Sequence, residues 1–304
     1  MNTTIKEMTT EDISVWFPIF ITEILLILMI NVITIIAFAR IRHLRKRSTY
    51  PTINLSVADL LLGAVAGPLY VYLKDKGKNL FYWPRFSLLA FQLTFLIASP
   101  VSLSLISLER LHATLFPFKH CLLRKWFYFK IIIGSWFITL LLGSLMAGLH
   151  LKEPDTLFAY AWASFCVVTL LVLILSYLII LLNVQKSPRL QTVSALQTER
   201  KLTITLFIVT GVSVVTVLPW AVYKSIPTDI TKNWEKVTSV SIYDMLAVIY
   251  FANSIVNPLL YAIRMKEFRK ALRNLVSRQR QAEQGRRTRT ERKIVHRSQP
   301  QTTL

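Results

Sequence analysis

A chain of 304 residues that is 53% hydrophobic and carries a formal net charge of +20 is not patterned as one globular core. Its apolar residues fall into long blocks separated by short charged stretches, the pattern of a polytopic membrane protein. The positive charge lies mainly in alternate connections and the tail, so anionic lipid headgroups are a simpler partner for it than nucleic acid.

Seven blocks run roughly over 14–39, 52–73, 86–111, 127–149, 157–183, 202–223 and 238–263. Each is long enough to cross a bilayer as a helix. The expected fold class is therefore an all-α membrane protein, one bundle of seven transmembrane helices. Block one lacks a small-residue cleavage site and reads as a signal anchor. Arg40, Arg42, Arg45, Lys46 and Arg47 follow it. Lys119, Arg124 and Lys125 follow the third block, Lys186, Arg189, Arg200 and Lys201 the fifth, and the tail is dense in arginine. The positive-inside rule makes these alternate connections cytoplasmic and the N-terminus extracellular. The expected organisation is an extracellular segment over 1–13, the bundle over 14–263, an amphipathic helix over 264–276 and a disordered cytoplasmic tail over 277–304.

In chain order, Asn2-Thr3-Thr4 is a glycosylation sequon on the outer side. Asn31 is a lone amide in block one and Asp59 a lone carboxylate in block two; a charge inside a membrane segment is a functional-site hypothesis by default. In block three, Ser99, Leu103, Ile106 and Arg110 step by four, three and four along one helical face. Arg110 either snorkels to the headgroups or is buried in the bundle beside Glu109. In block seven, Asn253, Asn257 and Tyr261 recur at one-turn spacing, and Pro258 frees a backbone carbonyl. Taken singly, each asparagine reads as interhelical glue worth about 0.6–2 kcal/mol. Together, Asn31, Asp59, Ser99, Asn253 and Asn257 supply oxygens from four helices at similar depth, enough to hydrate or to ligate a small cation such as Na⁺.

With Asn31, Asp59, Ser99, Glu109-Arg110, Pro117-Phe118, Trp136, Tyr177, Glu199, Pro219 and Asn257-Pro258-Leu259-Leu260-Tyr261 in this order, the chain resembles a rhodopsin-like (class A) G-protein-coupled receptor. The resemblance covers all seven blocks and the short helix after them. It implies a non-enzymatic receptor in the plasma membrane that binds an extracellular or membrane-borne ligand and activates a heterotrimeric G protein. It implies an allosteric Na⁺ pocket at Asp59, Ser99, Asn253 and Asn257. Arg110 would pair at rest with Glu199 and reach for the G protein when active, and Tyr177 and Tyr261 would rearrange inward. Phe268, Leu272 and Leu275, among Lys266, Arg269, Lys270 and Arg273, suit an interfacial helix.

The departures bear on the switch and the ligand. Cys121 and Cys166 are the only cysteines, and Arg85 stands where the family's third-helix cysteine is expected, so no disulfide is expected. Val217 replaces the family's toggle tryptophan, Thr169 stands about where the fifth-helix proline belongs, and Pro100 adds a kink. Missing cysteines, a short second outer loop and no fifth-helix proline leave the subfamily open among the melanocortin, lysophospholipid, cannabinoid and adenosine group. The candidate ligand pocket comprises Gln92, Leu96, Trp162, Phe165, Trp220, Lys224, Tyr243 and Phe251. Lys224 there is either a ligand's acid partner or a solvated helix-end lysine.

Tail hydroxyls offer phosphorylation sites for arrestin, and Thr302-Thr303-Leu304 fits a PDZ ligand. The alternatives are a constitutively active, decoy or scaffold receptor, because the switch residues are altered, and an ion transporter or channel. The latter lacks a second half resembling the first.

Overall fold

The computed structural model describes residues 10–40, 49–152, 156–186, 194–226 and 242–264. Among them there are helices and no strands. The lowest-cost way to place apolar sequence in lipid is to satisfy every backbone N–H and C=O within its own segment. Helix α1 spans Thr10–Arg40. Helix α2, Tyr50–Leu61, runs through a π turn at Leu62–Ala66 into α3, Gly67–Lys76. Then come α4, Tyr82–Leu115, the short α5, Pro117–Leu122, and α6, Lys125–His150. Helices α7, Thr156–Lys186, α8, Ser194–Lys224, and α9, Ile242–Arg264, complete the bundle.

Six spans are long and apolar enough to cross a membrane by length and composition: Val15–Arg40, Tyr50–Lys74, Tyr82–Leu115, Lys125–His150, Thr156–Asn183 and Ile242–Leu259. Helix α8 is as long, at 31 residues, though its side chains are described only in part. Burial identifies the central post. In α4, 61% of the apolar window is buried inside the protein, against 22% in α6 and in α7. The outer faces of α6 and α7 are apolar as well, with Ile133, Phe137, Val168 and Ile174 exposed, as lipid contact requires. Helix α6 packs most closely on α4. A Cβ added at Gly143 would lie 2.7 Å from the backbone nitrogen of Thr94, so this crossing needs a residue without a side chain.

Prolines inside the helices each lack an N–H and free the carbonyl four residues earlier. Two of these carbonyls hold neighbouring helices. Pro100 in α4 frees the Leu96 carbonyl, which accepts the Tyr250 hydroxyl of α9 at 2.7 Å. Pro258 in α9 frees the Ser254 carbonyl, which accepts the Asn31 amide of α1 at 3.0 Å. The π turn precedes Pro68. The Gly67 N–H reaches back five residues to the Leu62 carbonyl, and the wider turn makes room for the proline ring.

Helix α1 begins at Thr10, inside the 1–13 segment assigned to the extracellular N-terminus. The sequon at Asn2, most of the amphipathic helix expected over 264–276, the tail over 277–304 and Thr302-Thr303-Leu304 lie outside the described residues.

Candidate functional site

At mid-bundle, Asp59 of α2 is fully buried. A carboxylate at this depth is expensive unless polar groups surround it. Its Oδ1 accepts the hydroxyls of Ser99 (2.9 Å) and Ser254 (2.8 Å), and its Oδ2 accepts the Asn257 amide at 2.8 Å. Ser213 of α8 donates to Asn257 Oδ1 at 3.2 Å. The carboxylate thus joins α2 directly to α4 and α9, and through Asn257 to α8.

Of the five residues expected here, Ser99 and Asn257 each bond Asp59 directly. Asn31 reaches the group through the Ser254 backbone, and its Oδ1 is buried without a hydrogen-bond partner. Asn253 turns to α8, where its Oδ1 accepts the Thr216 hydroxyl at 3.1 Å. Ser254 was not anticipated. Its signal was its place three residues before Asn257, on the same helical face. The donor atoms around Asp59 are carboxylate, hydroxyl and amide oxygens, and the orphaned Asn31 oxygen adds another nearby. A hard cation takes such oxygens, so the residues present fit Na⁺.

At the far end of α4, Arg110 is buried to 2% exposure. Its Nε donates to Glu109 Oε2 at 2.5 Å. The other Glu109 oxygen lies 3.3 Å from His120 Nε2 of α5. Snorkelling is thereby excluded: the guanidinium is held in the bundle. Pro117 opens α5, and Phe118 is 87% exposed beside it. Tyr177 of α7 shares a 2.9 Å hydrogen bond with Thr210 of α8. Pro219 lies within α8 and Pro258 within α9. The side chains of Glu199 and Tyr261 are outside the described residues. Asn54 ties this half together, donating to Ser102 of α4 and accepting from the Trp136 indole of α6, both at 2.9 Å.

The opposite end carries the candidate pocket, and the eight residues divide. Trp162, Phe165, Trp220, Lys224 and Tyr243 form one aromatic group across α7, α8 and α9. Trp162 meets Trp220 edge-on at 5.5 Å, and the Lys224 ammonium lies 4.8 Å from the Tyr243 ring centre. Phe251 packs instead with Phe20 and Tyr70, toward α1 and α3. Leu96 contributes the carbonyl that holds Tyr250, and Gln92 is buried in α4. Sequence reasoning missed Asp244, which accepts the Tyr70 hydroxyl at 2.9 Å and pairs with Lys74. It passed over Tyr250 too, which packs 4.6 Å from Trp220.

A sequence profile of the 7 transmembrane receptor (rhodopsin family) matches residues 30–261. The chain belongs to the rhodopsin family of seven-transmembrane receptors. No curated protein sequence matches it. As a rhodopsin-family receptor it is a multi-pass membrane protein that signals through a heterotrimeric G protein and is not an enzyme. Neither cysteine of the receptor, Cys121 or Cys166, is in a disulfide.

Proposed function

We propose that the receptor lies in the plasma membrane with its N-terminus outside, takes its ligand at the Lys224 end and engages its G protein at the Arg110 end. The observation that carries this is the burial of Arg110 against Glu109. A guanidinium stored inside the bundle needs a conformational change before any partner can reach it, and a two-state bundle supplies one. Pro117 and Phe118, exposed beside it, would meet the G protein. Glu199, Tyr177, Tyr261, Pro219 and Pro258 belong to the same switch. The pocket residues are Gln92, Leu96, Trp162, Phe165, Trp220, Lys224, Tyr243 and Phe251.

Where Na⁺ binds, Asp59, Ser99 and Ser254 would hold it, with Asn31 and Asn257 bracing them, and the cation would supply charge compensation for the carboxylate. Asn253 would report the pocket to α8 through Thr216. Arrestin at the phosphorylated tail, a PDZ domain at Thr302-Thr303-Leu304, anionic lipid at the inner face and a glycan on Asn2 complete the proposed partners. A second reading is favoured by Val217, which stands in the toggle tryptophan's place: a receptor that is constitutively active or serves as a decoy or scaffold.

The test is nucleotide exchange on G proteins in membranes holding the full chain, with Na⁺ varied. Exchange that Arg110→Ala abolishes, and that Na⁺ lowers in the wild type but not in Asp59→Asn, supports the coupled reading. Silence of verified surface protein across G-protein classes and ligand panels transfers the weight to the decoy.

A further inference from the structure

Helices α7 and α8 do not close on each other along their length. A narrow, outward-opening crevice lies between them and α4. Its α8 wall is a single stripe, Ser213, Val214, Val217, Leu218 and Ala221. Its α7 wall is another, Trp162, Phe165, Cys166, Thr169, Leu170 and Leu173. Continuing each stripe outward by one turn gives Lys224 on α8 and Phe158 on α7. These two meet, with the Lys224 ammonium 5.8 Å from the Phe158 ring centre and 5.7 Å from that of Trp220. The crevice therefore has a cation at its rim.

The interior is apolar in effect. The hydroxyls on its walls are already bonded: Thr169 to the Phe165 carbonyl, Ser213 to Asn257, and Tyr250 to the Leu96 carbonyl. Deeper in the crevice the Cys166 thiol, a weak donor, is what remains to meet a polar ligand group. The rim is the reverse. The lysine there makes only aromatic contacts among the described residues. The indole N–H groups of Trp162 and Trp220 are buried with no hydrogen-bond partner, a costly arrangement unless an acceptor arrives. Leu218, at the crevice edge, is 39% exposed, and an exposed leucine on a membrane-spanning helix suits lipid, which would put the mouth toward the bilayer.

We propose that the ligand is a single-chain amphiphile with an acidic head, a carboxylate or a phosphate monoester. Its acid sits at Lys224 and the two indoles, and its acyl chain lies between α7 and α8, entering from the membrane. Along α8, Ser213 to Lys224 spans about 16 Å at helical rise, the length over which the chain would lie between the two helices and the lipid beside them. This inference rests on the reading that the Lys224 end receives ligand. It adds the ligand's chemical class and its route.

The test uses the full chain in nanodiscs of zwitterionic lipid, with tritiated dodecanoate, dodecyl phosphate and methyl dodecanoate as probes. Saturable binding of at least one acid is expected, and the preferred head separates a fatty-acid source from a phosphate one. Loss of one charge-assisted contact in Lys224→Gln should weaken acid binding about tenfold or more and leave the ester unchanged. Val217→Trp, which fills the crevice, should remove binding of all three, and Lys152→Gln should change none. Equal binding of acids and ester, or acids insensitive to Lys224→Gln, overturns the proposal. Because Lys224→Gln alters only the rim, it decides the matter even if Val217→Trp does not fold. Arg110-dependent exchange measured on the same discs separates the two failures. If exchange persists without acid binding, this inference alone falls.

Discussion

The crossing of α6 over α4 sets a sharp test of the packing. A methyl added at Gly143 would sit 2.3 Å from Thr94 Oγ1, 2.7 Å from its backbone nitrogen and 2.8 Å from its Cα. Ordinary carbon contacts are about 3.5–4.0 Å, so the shortfall is near 1 Å. The hydroxyl could swing away, but it is bonded to the Ala90 carbonyl at 2.7 Å, and the backbone atoms cannot move without displacing the central helix. Overpacking of this kind costs about 1–3 kcal/mol, and more when a backbone must shift. Against it stands the gain of about 1 kcal/mol from replacing a helical glycine with alanine. The net expectation for Gly143→Ala is a loss of about 1–2 kcal/mol. Gly134, on the same helix, has nothing within 4 Å of an added Cβ, so Gly134→Ala should show the propensity gain alone. Thermal unfolding of the purified full chain in one detergent compares them. The expected order of midpoints is Gly134→Ala at or above wild type, with Gly143→Ala clearly below. If Gly143→Ala matched Gly134→Ala, the close approach of α4 and α6 would be refuted.

Asn54→Ala removes a bond to Ser102 and leaves the Trp136 indole without its acceptor. It should cost about 1–3 kcal/mol by the same unfolding assay, while Asn54→Ser, able to restore one bond, should cost less. Lys74 pairs with the fully buried Asp244 while remaining 27% exposed itself. A double-mutant cycle over Lys74→Ala and Asp244→Asn should give a coupling of about 1–3 kcal/mol, between surface and buried pairs; additivity would mean that the pair is not held. Because neither Cys121 nor Cys166 is in a disulfide, dithiothreitol should leave the unfolding midpoint unchanged, and a marked drop on reduction would reveal a cross-link that the structure lacks.

What the sequence displayed and what it hid follow from how each signal is written. Hydrophobic blocks span twenty or more residues, so most helix ends were legible to within a few residues, but α8 begins at Ser194, ahead of its block at 202, because its first two turns are polar. Ionisable and amide side chains in hydrocarbon stand out singly, which is why Asp59 and Asn257 could be grouped from the sequence, with Ser99 added by its place on the Arg110 face and by the family pattern. Ser254 could not be, because a serine is cheap in a membrane helix and common there, and only its phase relative to Asn257 marks it. Asn253 illustrates the opposite error of resolution. One residue along a helix is a turn of 100°, which sends it to Thr216 rather than to the carboxylate. Asp244 lies near a helix end where an acid reads as solvated, and its burial depends on Tyr70 and Lys74, 174 and 170 residues away. The π turn at Leu62–Ala66 has only Pro68 as its local trace.

The carbonyls freed by Pro100 and Pro258 make certain pairs of positions inseparable. With proline at 100, the Leu96 oxygen depends on a hydroxyl from another helix; with alanine there, α4 could bond that oxygen itself and Tyr250 would share it. The same holds for Pro258 and Asn31 through the Ser254 oxygen. The effect of changing either tyrosine or asparagine therefore has no single value. It is set by which residue stands at the proline position, larger where the carbonyl has no partner in its own helix and smaller where it has one.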